Sequence, residues 1–487
     1  MNLAAVYALL YSALLGTAPN VVLLSVDTLR ADFLGCYGCP YPTSPHVDRL
    51  AAESLVFDDA VCEVPLTAPS MSSMLASRYP RMIGMTRNGL RLPAGIQTVA
   101  QEFQNAGYFT FCVQSNWTLK TKLSHIDRGF DVYDDHFHQK RWGILKGERS
   151  ADEVTRIALE CLRDRPPEKP FFAWIHYSDP HAPYEFHKQF APANKPRLFM
   201  KRTETVRRKY ASEVAFTDAQ IGLLLDVLLS DREGTEAASP DKSGESGESD
   251  GSDGSDGSDG SGGSDGSGGS DGSDGSGRGY PLRERGDPAG RRRDNLVILF
   301  VADHGESLYE HDYLGHGRRI YHHEMRIPFM VYAPGIAPGR TGVPVRGVDV
   351  GSTLLGLAGL QPLPGMLGVN VIADPPPAGR VRVVETYGGA VPKLPGARKR
   401  MAAAPPQFQG VIADGWKLIC DGASPELYYL PEDPGELDNR ATAETRRVSG
   451  MKALIERWDR ETRRGASEEA ALTEDDLRAL EALGYVE

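Results

Sequence analysis

A threonine hydroxyl rarely attacks an ester unaided, because almost none of it is ionised at neutral pH. Thr67, in the stretch Val64–Leu75 (VPLTAPSMSSML), stands where it could be activated. It lies two residues before Pro69, and the segment from Pro69 to Pro80 reads as a helix with proline in its first turn. A hydroxyl there sits among unpaired N–H groups that favour an anion. Threonine before proline is also a common helix cap, so position alone leaves nucleophile and cap both open. A divalent cation would settle it for chemistry, holding the alkoxide and drawing charge off phosphoryl or sulfuryl oxygens. Residues able to hold one end three apolar runs: Asp27 in Asn20–Thr28, Asp179 and His181 in Lys169–His181, and Asp303 with His304 in Asn295–Ser307.

Those runs, rich in β-branched and leucine side chains, have the pattern of parallel strands buried on both faces. Helical periodicity lies between them, in Thr98–Gly107 and Arg208–Ser230. Strand and helix alternate, which predicts an α/β fold: a doubly wound, mostly parallel sheet flanked by helices. Ligands in such sheets bind beyond the carboxyl ends of the strands, where all three acidic sites fall. Asp303-His304-Gly305 is the most telling of them, an acid beside an imidazole, followed by a glycine that lets backbone approach. After about residue 370 come short strand-like stretches (RVRVVETYG, FQGVIADGWKLICD, ELYYLPED) and a helical segment from Ala441 to Arg464. The chain therefore divides into a leader over 1–18, a catalytic domain over 19–370 and a small α+β subdomain over 371–487.

Composition narrows the partners. Between 231 and 280 there are 13 acids against three bases, which accounts for most of the formal charge of −12. No basic stripe offsets phosphate repulsion, so nucleic acid is not a partner. The Ser/Gly/Asp repeat in this region marks 231–294 as a disordered acidic insertion. Six cysteines are too few and scattered for a disulfide framework, and Cys36-Tyr-Gly-Cys39 has no second pair to complete a zinc site. The N-terminal apolar run ends in Gly16-Thr17-Ala18, like a signal-peptide core and cleavage site, although no Lys or Arg precedes it. Export to the periplasm or exterior is expected, with membrane contact only through this segment if it is retained.

Seven further stretches complete the pattern: PNVVLLSVDTLRADFLGCYG, TAPSMSSMLASRYP, DPHAPY, ADHGESLYEHDYLGHG, YHHEMRIPFMVYAPG, VDVGSTLLGLAGL and LYYLPEDPGELDNRA. In these motifs and their order the chain resembles the sulfatase family of the alkaline phosphatase superfamily, over nearly all of its length outside the leader and insertion. The resemblance implies a hydrolase of sulfuric or phosphoric esters with a metal site and a covalent intermediate on the residue two before the proline. It carries metal ligation onto Asp27, Asp303 and His304, and the nucleophile onto Thr67, itself a further ligand. Sulfatases proper have there a cysteine or serine matured to formylglycine, with an arginine two positions after the proline; here the residues are Thr67 and Met71. Cysteine-type oxidation cannot occur on threonine.

Two other departures agree. The sulfate-gripping motif GKWHLG is replaced by VQSNWTLK, in which Asn116 could donate to a transferring oxyanion or simply make a turn. The lysine often found after the Asp-His pair is His316. Together with His181, His316 resembles the threonine-nucleophile branch, where the matching histidines bind a second zinc or the substrate phosphate, and Asp179 could complete that second site. Zinc or manganese suits such a set better than calcium, the sulfatase precedent, so one or two divalent ions are expected. His181 or His316, if not metal-bound, could instead protonate the leaving alcohol. His176, His322 and His323 read as structural or surface residues, His176 as a core histidine satisfied internally. The substrate is a small-molecule, glycan or lipid ester. A phospho-group transferase and a degenerate, non-catalytic relative are the alternatives.

Overall fold

A computed structural model describes residues 18–136, 148–191, 201–230, 295–387, 409–420 and 424–474. The acidic insertion expected over 231–294, and all but the last residue of the expected leader, lie outside the described residues. The centre is an eight-stranded sheet of β1 (Asn20–Val26), β2 (Leu55–Phe57), β3 (Phe109–Gln114), β4 (Val132–Asp134), β5 (Phe171–Tyr177), β6 (Leu296–Ala302), β7 (Phe329–Tyr332) and β8 (Gly339–Thr341), in the order β8-β2-β7-β6-β1-β5-β3-β4. Every neighbouring pair is parallel except those made by β7, which runs against β6 and β2. The mostly parallel sheet is therefore present, with one reversed strand that the sequence did not signal.

The three apolar runs supply adjacent central strands, each ending two to five residues before its sequence pattern does. Both faces of β5 and β6 are buried throughout, and β1 is open only at Asn20. The uninterrupted apolar character follows from this, since neither face of these strands meets water. Each large side chain so removed contributes about 2 kcal/mol. Register is pinned across the centre: Val26 pairs with Tyr177 on one side and with Ala302 on the other. The residues that follow these three positions emerge together at one rim.

Helices cover the sheet: α1 (Pro45–Ala52), α2 (Thr67–Ala76), α3 (Val99–Asn105), α4 (Ala151–Asp164), α5 (Arg202–Leu228), the single turn α6 (His322–Met325) and α7 (Asp349–Leu357). α3 starts where the pattern places it, with the Gln101 side chain accepting from Thr98 N. α5 begins six residues before the expected Arg208. The C-terminal segment forms an antiparallel sheet of β9 (Arg382–Glu385), β10 (Gln409–Ala413), β11 (Trp416–Cys420) and β12 (Glu426–Tyr429), with α8 (Thr445–Glu461) packed on it. Val383, Val411, Leu418 and Leu427 of these strands form a small core with Val448, Met451 and Ile455 of α8. The buried Arg81, ion-paired to Glu385 and Asp459 with its guanidinium over Trp458, links this layer to the main sheet.

Candidate active site

Asp27 and Asp303 each follow the last residue of their strand, so the β1/β6 register brings them side by side, both fully buried. Asp27 N donates to Tyr177 O at 2.8 Å, which extends the β1/β5 pairing to the rim itself. Thr67 is the first residue of α2, and Leu66, not Thr67, stands at the cap position. Its hydroxyl makes no cap. Thr67 Oγ1 lies 3.5 Å from each Asp27 oxygen and 3.5 Å from His304 Nε2. Of the two readings of Thr67, the geometry removes the cap.

The His304 imidazole is held by its other nitrogen: Nδ1 is 2.8 Å from Gly305 O. Gly305 allows this corner, because a Cβ there would come within 2.1 Å of His323 O. Asp303 Oδ1 accepts from Thr28 N at 3.0 Å and His304 N at 2.7 Å, whereas its Oδ2 is buried without a hydrogen-bond partner. Asn116 makes the turn the sequence offered. Its Oδ1 accepts from Thr118 N and Oγ1 at 2.8 and 2.7 Å, making the turn, and its Nδ2 is thereby aimed at Asp27 Oδ2, to which it donates.

His181 and His316 complete a second group. Their Nε2 atoms face each other at 3.2 Å, and the His304 and His316 rings are 4.5 Å apart. Outer nitrogens are again engaged: His316 Nδ1 lies 3.2 Å from Pro65 O, and His181 Nδ1 lies 3.3 Å from Glu148 Oε2. Glu148, 3% exposed, is thus the carboxylate beside His181. Asp179, assigned to this place from sequence, is buried, its carbonyl accepts from Thr217 Oγ1 at 3.1 Å, and its charge bears on His187. His176 differs from expectation. Its Nδ1 is 2.9 Å from Ser25 Oγ, but its Nε2 has no hydrogen-bond partner among the described residues and lies 4.0 Å from Asp27 Oδ2. Met71, where relatives with formylglycine carry arginine, is wholly buried in the main core.

Charge in this centre is poorly balanced by the protein alone. Burial and the adjacent Asp303 push the Asp27 carboxyl well above the usual carboxylate range. Burial lowers His304 and drives His316 far down, so both imidazoles are neutral and offer lone pairs. Burial also works against a charge on His181, but Glu148 and Asp27 override it and push that imidazole up to about 10. The centre draws in positive charge, which is what a cation supplies.

A divalent ion fits this donor set. Asp27, His176 and Asp303 place one ligand atom each within 4.8 Å of one another. Thr67 Oγ1 to Asp27 and to His304 Nε2, each 3.5 Å, and His181 Nε2 to His316 Nε2, 3.2 Å, are near the ~3.3 Å expected between ligands about 2.0–2.1 Å from a tetrahedral ion, while His304 Nε2 and Asp27 Oδ1 stand 3.9 Å apart. Anchoring each Nδ1 fixes the ring so that Nε2 faces inward, the usual support of a metal-binding histidine.

Comparisons with known proteins bear on the family and the fold. A family model described as Sulfatase matches residues 19–235 and 289–360. An "Ulvan-active sulfatase" of Formosa agariphila is 24% identical over 424 residues, 78% of this chain and 70% of that protein. A solved structure described as in complex with its substrate D-glucosamine-2-N,6-O-disulfate superposes with a TM-score of 0.64 at 17% identity, covering 92% of this chain and 98% of the other. The phosphonate monoester hydrolase of Agrobacterium radiobacter superposes with a TM-score of 0.61 at 18% identity, covering 90% and 94%.

Proposed function

The chain belongs to the sulfatase family, and from that premise we propose that it cleaves sulfuric or phosphoric esters with Thr67 as the nucleophile. The observation that carries this reading is the Thr67 hydroxyl, buried and non-capping, 3.5 Å from both Asp27 oxygens and from His304 Nε2. Asp27, Asp303 and His304 would hold a divalent ion against it, with His181 and His316 making the second positive centre. A bound ion supplies two things here, a lower pKa for the hydroxyl and withdrawal of charge from the ester oxygens. The nitrogen-rich donors favour zinc or manganese over calcium.

In the first step Thr67 Oγ1 bonds to phosphorus or sulfur while the bond to the alcohol oxygen breaks on the opposite side. The Thr67 proton leaves toward Asp27, and the departing alcoholate gains a proton from the His181 side of the centre. Asn116 Nδ2, fixed by Thr118, adds a donor beside Asp27 for the equatorial oxygens. Water then attacks the threonine ester, Thr67 leaves, and it recovers its proton. A formylglycine hydrate can eliminate its adduct, but a threonine ester has no such exit and needs the external water. Phosphoric esters suit this machinery best, and phosphonate monoesters and sulfated glycans, named for the similar proteins, are the substrates to set beside them. We also propose export through the N-terminal segment.

Turnover of aryl sulfate, aryl phosphate, phosphodiester and phosphonate esters, assayed side by side, tests the preference: dominant sulfate turnover would refute it. Thr67→Ala should cut kcat by about 10³-fold or more without unfolding the protein. Intact-protein mass measurement after brief mixing with an activated ester should show one adduct, on Thr67.

A further inference from the structure

A second group of metal-type side chains lies outside the catalytic rim. His311 comes from the turn Glu310–Asp312, His323 from α6, and Glu436 from the loop after β12 in the C-terminal layer. Glu436 is more than 100 residues from the two histidines in sequence, yet each of the three residues places one donor atom within 4.8 Å of the other two. Two imidazoles and a carboxylate are a set that zinc uses.

Each donor is already oriented. The His311 ring lies flat on Tyr321, centroids 3.6 Å apart at 5°, and its Nε2 is 3.1 Å from Gly435 O. That Nε2–H donates to the carbonyl, leaving the Nδ1 lone pair available. His323 Nε2 is buried without a hydrogen-bond partner. Glu436 Oε2 accepts from His322 N, and Oε1 lies 2.7 Å from Lys417 Nζ. A carboxylate has about four acceptor sites, so these two bonds leave capacity on both oxygens.

A separate observation points to a missing positive charge. Glu324 Oε1 lies 3.7 Å from His323 Nε2, and both Glu324 oxygens are fully buried with no hydrogen-bond partner among the described residues. Buried carboxylates without partners are costly and normally find a donor or an ion. A cation at His323 would satisfy Glu324 as well.

We propose that His311, His323 and Glu436 bind a zinc-type divalent cation, distinct from any ion at Asp27 and Asp303, that clasps the C-terminal layer to the segment leading into His316. This does not rest on the catalytic assignment. The test uses the full chain carrying Asp303→Asn, stripped with chelator, reloaded with zinc and passed over a desalting column. Bound zinc and the thermal midpoint are then measured with and without His323→Ala, and again with His311→Phe, which keeps the stacking on Tyr321. The expected result is about one equivalent fewer zinc in either double variant than in Asp303→Asn alone, with the zinc-induced rise in midpoint abolished. Equal zinc content with and without these substitutions overturns the proposal, whatever happens at the catalytic rim.

Discussion

Glu148 acts on the site through another residue. Its carboxylate lies against His181 Nδ1, and that contact sets which nitrogen of the ring faces His316. Glu148→Gln keeps the shape but can no longer accept with full charge. It should weaken binding of the second ion by about 10- to 100-fold and lower kcat, with partial recovery in Glu148→Asp, as read by metal titration alongside kinetics. Nothing in the sequence marks Glu148, which sits in the charged stretch KGERSADE and looks like solvated surface. Asp27, Thr67, Asp303 and His304 were legible because strand ends and helix starts have local signatures. The partner of His181 was not, since it depends on where a distant loop returns. Asp179 drew attention by sitting two residues from His181, whereas Glu148 reaches that ring from 33 residues away in the chain.

At the scale of elements, α2 and α7 are joined by a buried acid. Glu63 Oε1 accepts from Val348 N at 3.0 Å, just ahead of α7, and burial pushes its carboxyl up to about 7 from an ordinary 4.5. The unfolded chain releases this proton near the ordinary value and the folded chain only near the raised one. Between them the folded state holds more protons, so stability falls as pH rises, by on the order of 3 kcal/mol. Glu63→Gln should flatten that slope, as measured by denaturant melts from about pH 5 to about pH 8. Strands β1, β5 and β6 and helix α3 could be read from apolar runs and periodicity. The short β2 and β8 and the reversed β7 could not, because three or four residues carry too little pattern to fix direction.

For the whole molecule, metal removal is the broadest test. Chelation should abolish turnover and lower the thermal midpoint, and zinc or manganese should restore both. An ion present at 100 times its dissociation constant stabilises the folded state by about 2.7 kcal/mol. Fold class was evident from sequence because alternating strand and helix leaves few architectures. The small sheet and helix of the C-terminal segment were legible as well, from short strand-like stretches and one helical run; which of their side chains meet beneath α8 was not, since those partners lie far apart in the chain.

The in-register meeting of β1 with β6 sets a condition on when this protein can first act. Asp27 is made early, but Asp303, His304 and His316 come only after more than half the chain has been synthesised. On the mechanism proposed above, a nascent or truncated polypeptide ending before them carries the Thr67 hydroxyl and Asp27 without the rest of the centre, and should turn over no ester however well its first strands have folded. Reactivity toward esters therefore switches on at a single late event, the docking of one strand into the middle of a sheet.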